Sequence, residues 1–150
     1  MKRKKQTSLI ETLVLSLLRG LWFLLCWPIK KILKLKTKNE NINKVQNLAN
    51  WLIIEKMLES GDEIHAKQAI IEADKFFDSM MKQVGAKGDS FADRLRSLES
   101  KMDYNKYQQV WNSHKVRNQI SHEMGYKLTS IEAGKTLNNF KLGLHNLGAI

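Results

Sequence analysis

A chain of 150 residues with 43% apolar side chains is long enough for one compact domain plus an appendage, and too apolar for global disorder. The net charge of +10 is uneven: residues 1–40 hold ten Lys/Arg against two Glu, a net of +8, which leaves +2 for residues 41–150. A broad DNA-binding surface on the folded part is therefore a poor account of the basic balance, and no DNA partner is expected. The single cysteine, Cys26, excludes an intrachain disulfide and a cysteine-built zinc site, and no metal or other cofactor is expected.

Residues 9–27 read LIETLVLSLLRGLWFLLCW, in which thirteen of nineteen residues are Leu, Ile, Val, Phe or Trp. Lysines and arginines flank the stretch on both sides, from Lys2 to Lys5 and from Lys30 to Lys38. At about 1.5 Å per residue it matches the hydrocarbon core of a bilayer. The expected anchor residues are Leu13, Leu17, Leu18, Leu21, Trp22, Leu25 and Trp27, with the two tryptophans of the type that favours the interface. No small-x-small cleavage site follows the apolar run, which argues against a removed signal peptide. A spanning helix must absorb Arg19, at about 2.5–3.5 kcal/mol near the bilayer centre. A helix lying in the interface avoids that cost and sets its lysines on anionic headgroups. Both forms stay open, and basic residues on both flanks leave the orientation unread. Pro28 ends or kinks the first helix. Ile29, Ile32, Leu33 and Leu35 then alternate with lysines as a short amphipathic continuation.

Residues 37–43, TKNENIN, form a polar linker. Beyond it, apolar positions recur at three and four residues without strand-like alternation, so the domain over 44–150 is expected to be all-α. The first helix is predicted from Asn43 to Ser60, with Val45, Leu48, Trp51, Leu52 and Leu58 inward and Gly61 as its stop. The second runs from Asp62 to Val84 on an apolar face of Ile64, Ala69, Ile70, Ala73, Phe76, Phe77, Met80 and Val84. Ser90 caps a short helix containing Phe91, Leu95 and Leu98. Another helix runs from Tyr104 to Glu123. The last opens at Thr129, with Glu132 at capping-box spacing and Leu137, Phe140, Leu144 and Leu147 inward. Short loops between long helices imply an antiparallel bundle.

The Tyr104–Glu123 helix lacks a plain apolar face. At about 100° per residue, Tyr107, Val110, Trp111, His114, Asn118 and Ser121 share one side, with Arg117 at one edge and His122 at the other. Such groups are costly to bury unless they are paired, so they either pair within the core or line a site. His65 and His145 read as surface residues. His114 and His122 face the same way, but no carboxylate stands at a spacing that would complete a metal site.

The run from Trp111 to Glu123, WNSHKVRNQISHE, resembles the signature helix of the HEPN domains (higher eukaryotes and prokaryotes nucleotide-binding), in which an Arg and a polar residue precede a His. Arg117-Asn118-Gln119-Ile120-Ser121-His122 carries the match, and the helical layout of about residues 45–148 resembles the family as well. The resemblance implies a metal-independent RNA endonuclease that works as a dimer. Arg117 would hold the phosphate charge and His122 would transfer protons, with Asn118, His114 and Ser121 orienting or binding substrate. Many domains of this kind serve instead as binding or dimerisation modules.

Two functions follow. One is a membrane-tethered, HEPN-like ribonuclease acting on cytoplasmic RNA, with membrane lipid, RNA, and a second copy or a regulatory protein as partners. The other is a non-catalytic, membrane-anchored helical module for dimerisation or partner binding. Arg117 and His122 separate them. Both pointing into a solvent-reachable cleft, or across a two-fold interface, favours the enzyme, and Arg117 buried against an acid of its own chain favours the module.

Overall fold

The computed structural model describes residues 43–150. The anchor residues Leu13, Leu17, Leu18, Leu21, Trp22, Leu25 and Trp27 lie outside the described residues. Within them there is no strand, and no helix is long and apolar enough to cross a membrane.

Five α-helices follow in order: α1 (Lys44–Lys56), α2 (Glu63–Gln83), α3 (Phe91–Ser97), α4 (Tyr104–His122) and α5 (Ser130–Asn146), with 3-10 turns at Met57–Ser60 and Glu99–Lys101. Each helix starts on a side chain that accepts a hydrogen bond from an otherwise unpaired backbone N–H: Asn43, Asp62, Ser90, Asp103 and Thr129. The reciprocal capping box forms at Ser90 and Asp93. At Thr129 it is half made. The Thr129 hydroxyl accepts from the Glu132 N–H at 3.2 Å, but the Glu132 carboxylate accepts instead from the Tyr126 hydroxyl at 2.7 Å.

The bundle is built on α2, α4 and α5. The Asp103 N–H at the start of α4 donates to Asn146 Oδ1 at the end of α5 (3.1 Å), and the other ends share the 123–129 loop, so the two helices run antiparallel. Phe77 of α2 sits at the centre, with ring centroids 5.7 Å from Phe140 and 6.0 Å from Phe91. Helices α4 and α5 approach α2 closely at Gly143, where a Cβ would lie 2.5 Å from Val110 and 2.7 Å from Phe77. A second small cluster of Ala66, Ile70, Leu128 and Ala133 anchors the loop after α4 to the start of α2, and the Leu128 N–H donates to Glu63 there at 3.0 Å.

Helix α1 is peripheral and differs from expectation. It buries Asn47, Trp51 and Ile54, while Val45, Leu48 and Leu52, expected inward, are exposed, as is Ile64 at the start of α2. The reason is specific pairing. Asn47 donates to the Ala149 carbonyl at 2.9 Å, and Glu55 accepts from Lys141 at 2.8 Å, so these polar tethers fix the rotation of the helix.

The two glycines of α5 separate propensity from packing. Gly134 faces open space, so Gly134→Ala is expected to raise stability by about 0.5–1 kcal/mol through helix propensity alone. Gly143→Ala gains the same propensity but drives a methyl into Val110 and Phe77, for a net loss of about 1–3 kcal/mol. Urea denaturation of the full chain with each substitution checks both signs.

Candidate functional site

The sequence-predicted site residues lie on the C-terminal half of α4, and the structure divides them. His114 and Arg117 turn toward α2, where both meet Asp74. The His114 Nδ1–H donates to Asp74 Oδ1 at 2.7 Å, and Arg117 Nε lies 3.4 Å from Asp74 Oδ2. The second contact is an ion pair without hydrogen-bond alignment, because the buried Nε has no acceptor in line among the described residues. Arg117 Nη1 donates to Asn118 Oδ1 at 3.0 Å. Ser121 and His122 are exposed in the last turn. The His122 ring makes no hydrogen bond or ion pair among the described residues, with Arg117 or with any other group. Arg117 and His122 make no hydrogen bond with each other.

Asp74 is the residue that sequence reasoning missed. It is 4% exposed and stands on the apolar stripe of α2 with Ile70, Phe77 and Met81, all buried. The signal was present: a carboxylate three and four residues from apolar neighbours on a core face needs a cationic or N–H partner. His114 and Arg117, three residues apart on α4, supply it.

Helix α3 covers this pairing. Phe91 stacks on the His114 ring with centroids 4.0 Å apart and planes within 1°, and Trp111 meets the same ring edge-on at 6.4 Å. The cover is held by Arg94, whose Nε and Nη2 donate to the two carboxylate oxygens of Asp78 on α2 at 2.7 and 3.0 Å. Arg94 Nη1 also donates to the Gly88 carbonyl at 2.8 Å. Gly88 must be glycine, because its φ is +125° and a Cβ would fall 2.3 Å from that of Asp93. Arg96 rests over Trp111 at 5.7 Å, adding a cation–π contact at the rim.

Burial pushes the Asp78 carboxyl up, but hydrogen bonds from Arg94 and Lys82 outweigh it and hold it below the usual carboxylate value. Chemically, a buried carboxylate on Nδ1–H fixes a histidine tautomer and leaves Nε2 as the basic nitrogen. Here the ring is stacked under Phe91, with 14% of its side chain exposed. A groove of about 650 Å³ opens elsewhere, between α4 and α5, lined by Gln109, Asn112, Ser113, Glu132, Lys135 and Asn139 among others. Neither His114, Arg117 nor His122 borders it. Among the described residues no cluster of His, Cys, Asp and Glu has metal-binding geometry. No family model, no curated protein and no solved structure matches the chain.

Removing the Asp74 carboxylate leaves a guanidinium and an imidazole half-buried and unpaired, so Asp74→Ala is expected to cost about 2–4 kcal/mol. In a double-mutant cycle, Asp74→Ala and Arg117→Ala should couple by about 1–2 kcal/mol, measured by chemical denaturation, since each partner is strained by the loss of the other. The depressed Asp78 carboxyl stabilises the fold fully above its unfolded value of 3.8, and that contribution fades as pH falls through the lower folded value. The stability difference between the native chain and Asp78→Asn should therefore shrink below about pH 4, read from denaturation midpoints across the acid range.

Proposed function

We propose that residues 43–150 form the non-catalytic, HEPN-like helical module of a membrane-attached protein. In this reading the Arg-Asn-x-x-x-His segment braces α4 against α2, and partners are met on the outer surface. The observation that carries it is the double engagement of Asp74: one buried carboxylate pairs with both His114 and Arg117, so the arginine of the motif has an acid of its own chain as partner. The stacked Phe91 over His114 and the absence of any hydrogen-bond partner for the exposed His122 among the described residues support the same reading. Membrane attachment rests on the basic-flanked apolar run of residues 9–27.

One observation favours RNA cleavage as a second reading. The Arg117 side chain is 28% exposed and makes a single hydrogen bond, so its remaining N–H groups have capacity for a phosphate. With His122 exposed near the same helix end, a second protomer could complete a site across a two-fold axis.

The two readings part in one experiment on the purified full chain in detergent. Single-stranded RNA in EDTA should remain intact, Arg117→Ala should lower the melting temperature, and His122→Ala should leave it unchanged. Cleavage that persists in EDTA, leaves 2′,3′-cyclic phosphate ends and disappears in both variants would overturn the module and establish the nuclease.

A further inference from the structure

The face of α1 that points away from the core is more apolar than the face that packs on it. Going round the helix at about 100° per residue, Leu48, Leu52, Val45, Ala49 and Ile53 share one side, with Lys56 of the last turn among them, and the opposite side seats Asn47, Trp51 and Ile54 in the domain. The outward residues are open: Val45 is 81% exposed, Leu48 41%, Leu52 53% and Ile53 61%. Four large aliphatic side chains side by side on a single helix are an unpartnered patch, not scattered surface residues. The polar neighbours at its border, Gln46 and Asn50, bond each other at 3.1 Å.

We propose that this face of α1 lies on the lipid bilayer, with Val45, Leu48, Leu52 and Ile53 at the boundary of headgroups and acyl chains. The inference rests on the membrane attachment proposed above and extends it from the N-terminal segment to the helical domain. Two arguments select lipid over a second copy of the chain. The first is closeness in sequence: only the seven residues 37–43 separate α1 from the basic, apolar segment on which the proposed attachment rests. The second is area. A helix of 13 residues is about 20 Å long and about 10 Å wide, so pairing two such faces buries on the order of 400 Å², well short of the roughly 1,000 Å² of a specific interface. A bilayer sets no such threshold, because the anchor supplies the local concentration and the helix adds its apolar area. Lys44 and Lys56, at the two ends of α1, are placed to extend along the surface to anionic headgroups.

The test uses the full chain carrying Cys26→Ser and a fluorophore on one introduced cysteine. Val45→Cys and Leu52→Cys report on α1, and Ile131→Cys, 85% exposed at the α5 groove, is the control for adventitious apolar contact. The chains are reconstituted in vesicles of phosphatidylcholine and phosphatidylglycerol, with or without lipid-borne nitroxides. The expected result is several-fold quenching at positions 45 and 52 by the nitroxide lipids and little at 131. Chains that float with the vesicles yet show no quenching at 45 or 52 would overturn the proposal and leave the anchor reading standing. Chains that do not float would overturn both. Quenching at 52 by a nitroxide on a second copy, without quenching by lipid, would replace the bilayer with a dimer.

Discussion

A single buried carboxylate sets the arrangement of this domain. Asp74 stands among Ile70, Phe77 and Met81 on the core stripe of α2, where an unpaired charge would cost several kcal/mol. The chain satisfies it from α4 alone, with His114 and Arg117 one turn apart on the same side. That requirement fixes both the rotation and the register of α4, whose own apolar face is slight: only Tyr107, Val110 and Ser113 are buried along its 19 residues. Once docked this way, α4 brings Val110 to Phe77 and Gly143, and sets Val116 and Ile120 against the small cluster at the start of α2.

The same geometry decides what the motif helix is free to do. A histidine held by a carboxylate, with an arginine beside it, has the parts of an acid–base and phosphate site. Here the histidine faces inward, and α3 closes over it through the Arg94–Asp78 pair and the stacked Phe91, while the arginine beside it stays 28% exposed. His122 and Ser121 are exposed in the last turn. Pairing of Asp74 engages residues that chemistry would need on the surface, and on that ground the module is proposed over the nuclease.

Surface apolarity points the same way. The domain is close to neutral, but α1 exposes Val45, Leu48, Leu52 and Ile53 seven residues after the basic, hydrophobic N-terminal stretch. In the proposed reading the two features share one physical preference, for a boundary between water and hydrocarbon. The α4–α5 groove is lined by other residues and is a separate concave face.

Much of the fold could be read from the sequence because its signals are local. Asp62, Ser90 and Thr129 mark helix starts, Gly61, Gly85 and Gly125 lie at left-handed stops, and the three- and four-residue recurrence of Ala69, Ala73, Phe77 and Met80 marks a core face. Such signals depend on backbone geometry within a few residues, so no distant partner is needed to interpret them. Three things depended on distant partners. Periodicity placed Trp51 inward, as it is, together with Val45, Leu48 and Leu52, which are exposed because α1 is rotated to bring Asn47 to the Ala149 carbonyl and Glu55 to Lys141. The motif placed Arg117 and His122 in one site; Asp74, more than forty residues earlier, pairs with the arginine, while the histidine stands exposed in the last turn. The lone acid on the stripe of α2 announced that a partner was needed without saying which. Sequence alone thus determined where the helices begin and end, and which residues are able to pair. Tertiary structure decided which of them do, because a buried charge or amide is satisfied only by whatever group the rest of the chain brings within about 3 Å.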